Sequence, residues 1–389
     1  MQGKSKDEST ISRVDSIINE AIAREASDIH IEPGSDGARL RFRVDGILYD
    51  QRPIQEAKKT QIVSRIKVLA KINIAEKRIP QDGKFRIANK SSDIDLRVST
   101  FPSIYGEKVV IRILDRSKNM IELDSLGFNE NMLNQFTELV EKPSGFFLVT
   151  GPTGSGKTTT LYAVLSKLNN PAKNIITLED PVEYNLDGIT QGQIHPDAGF
   201  TFERGIRALL RQDPDVAMVG EVRDKETAKI AIEAALTGHM VFSTLHTNDA
   251  PGAIMRLMDM QIEPFLINAS LTGVLAQQLA RKICDKCCVE VKPSDQEKQL
   301  IDRLGLKTDK LYKGKGCSAC FGLGYKGRTG IFELLVMSSD LRSLIVEHPK
   351  FDDIRSQAMI GGMKQLVTDG FDKVKKGIIS LDELVRVAF

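Results

Sequence analysis

Gly151-Pro152-Thr153-Gly154-Ser155-Gly156-Lys157-Thr158 fits the pattern G-x-x-x-x-G-K-[ST] at every fixed position. The apolar run Phe146-Phe147-Leu148-Val149-Thr150 precedes it, and Thr159, Leu161, Val164, Leu165 and Leu168 follow at helical spacing. A buried strand, a glycine-rich turn and a helix form the context that a phosphate-binding loop requires. Glycines let backbone N–H groups wrap around phosphates, and the helix N-terminus adds positive potential. Lys157 is placed for the β- and γ-phosphates, Thr158 for Mg²⁺, and Thr159 completes the set expected against a nucleotide. The alternative, a glycine-rich turn that binds nothing, lacks a reason for this flanking order.

Working outward, short apolar runs recur at residues 174–178, 216–220 and 240–245, separated by helical patterns. Strands alternating with helices predict an α/β fold around an open, mainly parallel sheet. Ligands bind such sheets at the carboxyl ends of the strands. Two acidic segments stand there: Glu179-Asp180-Pro181-Val182-Glu183, and Glu221 after Gly220. Hydrolysis of a nucleoside triphosphate needs carboxylates for the metal and the attacking water. A glycine stands where Asp commonly closes the second strand, so Glu221 is expected to take its place. Any one of these acids could instead be a solvated loop residue. His239 and His246 bracket the run at 240–245 and are either structural or placed to sense a γ-phosphate.

Cys284-x-x-Cys287 and Cys317-x-x-Cys320 have zinc-ribbon-like spacing, and four thiolates suit a closed, structural Zn²⁺ site. Cys288 is left over. Unligated thiols are the plainer alternative. Arg97 and Arg112 alternate with apolar neighbours in two expected strands, at 94–99 and 108–114. Arg207 and Arg211 fall one helical turn apart before Asp213-Pro214-Asp215. Spacing alone leaves each of the four as a solvated charge or a phosphate-side cation.

The first part of the chain reads as a compact α+β domain over 1–116. It opens with an amphipathic helix carrying Ile11, Val14, Ile17, Ile18, Ala21 and Ile22. A strand from Asp28 and a hairpin turning at Asp45-Gly46 follow, then a helix over 61–74. Residues 117–124 read as a linker, and 125–389 as the nucleotide-binding domain. Within the latter lie a Cys-bearing insertion at 284–327 and short helices over 338–389. The run at 265–280, interrupted by Asn268, Ser270, Thr272, Gln277 and Gln278, reads as a helix packed on one face.

Lys+Arg total 54 against Asp+Glu 52, a net charge of +2 that argues against a general polyanion binder. The arginine stripe Arg39, Arg41, Arg43 is the best support for a nucleic-acid motor, the alternative being a solvated stripe opposite an apolar strand face. No apolar run reaches the length of a bilayer span, so no transmembrane segment is expected. The polar start, MQGKSKDEST, has no apolar signal region and reads as a linker or as a cut end, from either of which a preceding domain could be missing.

Several of these segments resemble the type II secretion and type IV pilus assembly ATPases. In the N-terminal part they are Ala26-Ser27-Asp28-Ile29-His30-Ile31-Glu32-Pro33, Arg41-Phe42-Arg43-Val44-Asp45-Gly46, Lys77-Arg78-Ile79-Pro80-Gln81-Asp82-Gly83 and Gly106-Glu107-Lys108-Val109-Val110. Further on they are the phosphate-binding loop, the segment 178–184, Leu210-Arg211-Gln212-Asp213-Pro214-Asp215, Gly220-Glu221-Val222-Arg223-Asp224 and Ser243-Thr244-Leu245-His246-Thr247-Asn248. The resemblance implies a RecA-like ATPase core preceded by a PAS-like α+β domain, binding ATP or ADP between them. It implies a cytoplasmic homohexamer at the inner membrane that works on a platform protein, with no nucleic-acid partner. By motif position Glu183 is implied as general base and Glu221 as the Mg²⁺-associated acid. His239 and His246 match the family's histidine box. Arg97 and Arg112 match its arginine fingers, Arg207 and Arg211 add phosphate-side cations, and Glu179 and Asp180 border the nucleotide. The cysteine pairs match a zinc-binding insertion that pilus retraction ATPases lack. Asn248-Asp249-Ala250-Pro251 looks more like the pilus-assembly branch, whereas Asp95-Leu96-Arg97-Val98-Ser99 fits either. A scaffold in which nucleotide only sets shape is the non-catalytic alternative.

Overall fold

The computed structural model describes residues 9–88, 93–115 and 121–388. The chain divides into two compact units, Met1–Asn119 and Met120–Phe389.

In the first unit, α1 (Thr10–Ala23) is followed by β1 (Asp28–Gly34), β2 (Gly37–Val44), β3 (Ile47–Asp50) and β4 (Ile54–Gln55). Then come α2 (Glu56–Leu69), β5 (Gln81–Ala88), β6 (Asp93–Ser103) and β7 (Gly106–Asp115). The strands form one sheet in the order β3-β2-β1-β7-β6-β5, with β4 beside β2. Every pairing is antiparallel. Successive strand side chains point to opposite faces. Ile29, Ile31, Leu40, Phe42, Leu96, Val98, Val109 and Ile111 bury one face, against Val14, Ile17 and Ile18 of α1 and Ile62, Val63 and Ile66 of α2. Asp45 and Gly46, at φ 48° and 86°, make the expected hairpin turn. Buried Lys67 of α2 pairs with Glu107 of β7 at 2.7 Å and donates to Glu76 O at 2.6 Å, so one motif glutamate is a structural pin.

Helix α2 starts and ends earlier than the expected 61–74. Apolar spacing marks only the buried face, so it cannot announce an exposed first turn, and the chain breaks at Lys71 with φ 58°. Of the expected linker, residues 117–120 lie outside the described residues, and Leu123–Leu126 forms a 3₁₀ turn.

The second unit begins with α3 (Glu130–Val140), β8 (Gly145–Thr150), α4 (Lys157–Leu168), β9 (Ile175–Glu179) and β10 (Thr190–Gln193). It continues through α5 (Phe202–Leu209), β11 (Val216–Val219), α6 (Lys225–Leu236), β12 (Met240–Leu245), α7 (Ala250–Asp259), α8 (Pro264–Ser270) and β13 (Leu271–Ile283). The insertion comprises β14 (Cys288–Val291), α9 (Asp295–Arg303) and β15 (Leu311–Gly314). The chain closes with β16 (Tyr325–Val336), α10 (Ser339–Val346), α11 (Phe351–Ile360), α12 (Leu366–Lys375) and α13 (Leu381–Ala388).

Seven strands order as β10-β9-β11-β12-β8-β13-β16. Pairings from β10 to β13 are parallel, and β16 runs antiparallel to β13. Phe146 and Leu148 of β8 face one apolar core, Phe147 and Val149 the other, as a sheet covered on both sides demands.

The run at 265–280 departs from its helical reading. It contains the short α8 and then the thirteen-residue β13, held between β8 and β16. A strand buried on both faces is a continuous apolar run, which periodicity alone cannot separate from a buried helix. Among the described residues no helix is long and apolar enough to cross a membrane.

Candidate functional site

The phosphate-binding loop leaves the carboxyl end of β8 and opens α4 at Lys157. Gly151 has φ +147°, and a Cβ there would lie 2.3 Å from Gln277 O and 2.6 Å from Ser155 Oγ, so only glycine fits. Lys157 Nζ donates to Gly151 O at 2.8 Å and Pro152 O at 3.1 Å, folding its ammonium across the loop. Burial pushes that ammonium below its ordinary value, and nearby Glu221 opposes the shift. Ser155 Oγ is buried without a protein partner, and the loop closes around glycines: an arrangement suited to phosphate oxygens.

Parallel pairing sets the ends of β9, β11, β12 and β8 side by side. Glu221 follows β11, and its segment is stitched to both neighbours. Gly220 N donates to Leu178 O at 2.8 Å and Val222 N to Thr244 O at 3.0 Å. The Glu221 carboxylate accepts from Arg223 Nε at 2.6 Å and lies 3.2 Å from His246 Nε2. Burial alone would raise this carboxyl, yet Arg223 and His246 together hold it below its ordinary value. Arg223 also reaches Asp180 Oδ2 at 3.6 Å, joining the two acidic segments. Thr150 anchors the histidine loop: its Oγ1 accepts from Thr247 N at 2.9 Å and lies 3.1 Å from Leu245 O.

The four cysteine sulfurs of Cys284, Cys287, Cys317 and Cys320 all lie within 4.8 Å of one another. Sulfur–sulfur separations are 3.9 Å (Cys284–Cys317), 3.8 Å (Cys287–Cys320) and 3.7 Å (Cys317–Cys320). A tetrahedral ion with metal–sulfur bonds of about 2.3 Å separates its ligands by about 3.8 Å, so the cluster could hold a metal of that kind. Burial opposes ionisation of Cys320, but N–H groups of Cys317 and Gly324, both at 3.2 Å, hold its thiol down to about 6. Cys288 lies in β14, outside this group.

A family model described as type II/IV secretion system protein matches residues 4–386. The chain belongs to that family. The type IV pilus assembly ATPase PilB of Thermus thermophilus is 48% identical over 377 residues, which are 96% of this chain and 42% of that protein. The type II secretion system ATPase E of Vibrio cholerae is 47% identical over 386 residues, 99% of this chain and 76% of that protein. The chain therefore spans less than half the length of the Thermus relative. In fold it is similar to the Legionella pneumophila ATPase DotB, with TM-score 0.69 at 22% identity over 99% of this chain and 97% of that one.

Within this secretion-family chain, Lys157, Thr158, Asp180, Glu221 and His246 gather at one edge of the sheet, and Glu183 lies exposed on the loop after β9. Four expected site residues of this unit do not join them: His239, Glu179, Arg207 and Arg211. His239 precedes β12, whose first residue pairs with Gly145, so it lies at the other end of the strand from the loop. Its Nδ1 lies 2.9 Å from Ala234 O, tying it to the end of α6. Glu179 is 3% exposed, and its carboxylate accepts from Tyr162 Oη, from Thr177 Oγ1 at 2.6 Å and from Gln191 Nε2 at 3.2 Å. With its oxygens so engaged inside the sheet, it is a framework group.

Arg207 pairs with Glu203 at 3.4 Å, and Arg211 donates to Arg207 O at 2.7 Å; both remain exposed. In the first unit Arg97 and Arg112 are direct cross-strand partners on the face away from the helices, lining a cavity of about 530 Å³. Asp28 holds Arg112 Nε at 3.1 Å. On the same face Arg39 is paired with Asp50, Arg41 with Glu32 and Arg43 with Asp28, so each arginine of the stripe that favoured nucleic acid already faces an acid.

Sequence reading missed four contributors: Thr150, Tyr162, Arg223 and Gln277. Gln277, 2% exposed on β13, donates to Ser155 O at 2.7 Å and accepts from Thr160 Oγ1 at 2.8 Å. It staples the loop to the first turn of α4. The only signal in the sequence was a glutamine inside an apolar run.

Proposed function

We propose that this member of an ATPase family hydrolyses ATP as one subunit of a homohexameric motor. The motor would drive assembly of a type IV pilus or a type II secretion pseudopilus through an inner-membrane platform protein, from the cytoplasmic side. The observation that carries this reading is the gathering of Lys157, Glu221 and His246 at the carboxyl ends of adjoining parallel strands, with Asp180 tied in by Arg223.

The loop amides and Lys157 hold the phosphates. Thr158 and Glu221 would hold Mg²⁺, which when bound neutralises charge on the β- and γ-phosphates. Glu183, on an exposed loop, takes the proton of the attacking water. His246 reports the γ-phosphate through the carboxylate it shares with Arg223. Arg97 and Arg112 of the PAS-like unit act as arginine fingers, with the aim of Arg112 fixed by Asp28. The four cysteines hold structural Zn²⁺, whose tetrahedral demand matches their spacing.

ATP binding and hydrolysis drive the motor subunit by subunit. Glu183→Gln tests the chemistry. Nucleotide affinity should stay within about threefold while steady-state phosphate release falls by about 10²-fold or more, the scale of a lost general base. Turnover at the wild-type rate would remove Glu183 from its role. Added DNA should leave the rate unchanged.

A further inference from the structure

Tyr162 is fully buried on α4, the helix that Lys157 opens. Its ring meets that of Tyr184 edge-on, with centroids 4.7 Å apart. A buried tyrosine hydroxyl ordinarily finds one partner; this one has three. It donates to Glu179, which closes β9, and accepts from Gln191 Nε2 at 3.3 Å and from the backbone N–H of Glu183 at 3.3 Å. Gln191, on the edge strand β10, completes the frame: Nε2 donates to Tyr184 O at 3.2 Å and Oε1 accepts from Leu186 N at 2.7 Å. Gln193 Oε1 accepts from Val182 N at 3.3 Å. The loop over 182–186 therefore hangs from a hydroxyl on the phosphate-binding helix and two amides of β10, while the Glu183 side chain projects outward. Burial, reinforced by Glu179, pushes the Tyr162 phenol well above its ordinary range, so the hydroxyl stays a donor to that carboxylate.

We propose that Tyr162 is a positioning residue for Glu183, with Glu179 and Gln191 as its supports. This rests on the reading of Glu183 as general base. The helix that grips the phosphates and the loop that carries the base become one body, so both move together relative to the γ-phosphate. Proton abstraction needs heavy-atom separations near hydrogen-bond length, and a displacement of about 1 Å costs on the order of 10²-fold.

The test is a double-mutant cycle on the full chain, reading kcat, KM for ATP and ADP affinity. Tyr162→Phe keeps the ring and its packing. It should lower kcat about 10- to 100-fold and leave KM and ADP affinity within about threefold. In the Glu183→Gln background the same change should lower kcat by less than about twofold, because the group it aims is already gone. Equal losses in both backgrounds would mean that the hydroxyl acts elsewhere, and overturn the proposal. So would wild-type kcat in Tyr162→Phe alongside an inactive Glu183→Gln, which leaves the base assignment standing. Wild-type turnover in Glu183→Gln would remove the base assignment itself and the proposal with it. Should Tyr162→Phe fail to fold, Gln191→Met removes the partly exposed support, and a fall in kcat without a change in ADP affinity is again required.

Discussion

Glu179 and Glu221 stand at the ends of neighbouring parallel strands, β9 and β11, yet they belong to different classes of carboxylate. Glu179 is 3% exposed and held by neutral donors: a phenol, a hydroxyl and an amide. Glu221 keeps a 20% exposed side chain and faces the Arg223 guanidinium and the His246 imidazole, beside Lys157. Neutral donors satisfy a carboxylate and fix it in place. Polar partners at a water-accessible edge can be exchanged for a metal or a phosphate. The lesson is that strand-end position makes an acid a candidate, and its donors decide what it does.

The most severe way to break the comparison acts on what both strand ends serve. Lys157→Ala should reduce phosphate release by about 10³-fold or more, with the thermal transition little changed. Next, Glu221→Gln should cost about 10²- to 10³-fold in turnover with stability nearly unchanged. Phosphate-release kinetics beside urea melts separate the two quantities.

A third carboxylate sharpens the rule. Glu383 on α13 is fully buried like Glu179 but faces cations like Glu221: Arg281 at 2.8 Å, and Arg386. Burial alone would raise it, yet the hydrogen bonds of Arg386 and Arg281 hold it down at about 2. A depressed acid stabilises the fold above its unfolded value near 4.5 and loses that contribution as pH falls through the folded value. Glu383 should therefore contribute about 3 kcal/mol at neutral pH, disappearing between about pH 4.5 and 2. Urea melts of wild type and Glu383→Gln should converge over that window. Glu333 is the mirror case. Buried with only backbone donors from Ala250 and Leu366, its carboxyl is pushed up, chiefly by burial.

Smaller still, Glu179→Gln should cost about 1–3 kcal/mol of stability and less turnover than Glu221→Gln, since a glutamine carbonyl can still accept from Tyr162. A loss of turnover equal to that of Glu221→Gln would erase the distinction. The least effect at the nucleotide site should come from the cysteine cluster, about 20 Å along β13 beyond Gln277. Chelation should lower the melting temperature and release one equivalent of zinc, while ADP affinity measured by calorimetry stays within about twofold.

How legible each part was follows from how local it is. The phosphate loop occupies eight consecutive residues, and the two Cys-x-x-Cys pairs carry their own spacing, so chain order already holds their geometry. Tyr162 to Glu179 and Gln277 to Ser155 are side-chain meetings between separate elements, and no period or motif encodes them. The run at 265–280 shows the same limit at the level of secondary structure: its burial on both faces erased the alternation that would have revealed a strand. His239 and His246 looked equivalent in the sequence because they flank one strand. The extended backbone then carried them to opposite ends.

By itself the sequence determined which residues could grip a phosphate or a tetrahedral metal, and the mixed α/β class that presents them. Local backbone conformation and residue chemistry are enough for that. Only the tertiary structure decided which acids stay open to water and which become framework, and which arginines already face an acid. Those properties depend on burial and on the charge of neighbours remote in the chain, which exist only once the strands have paired.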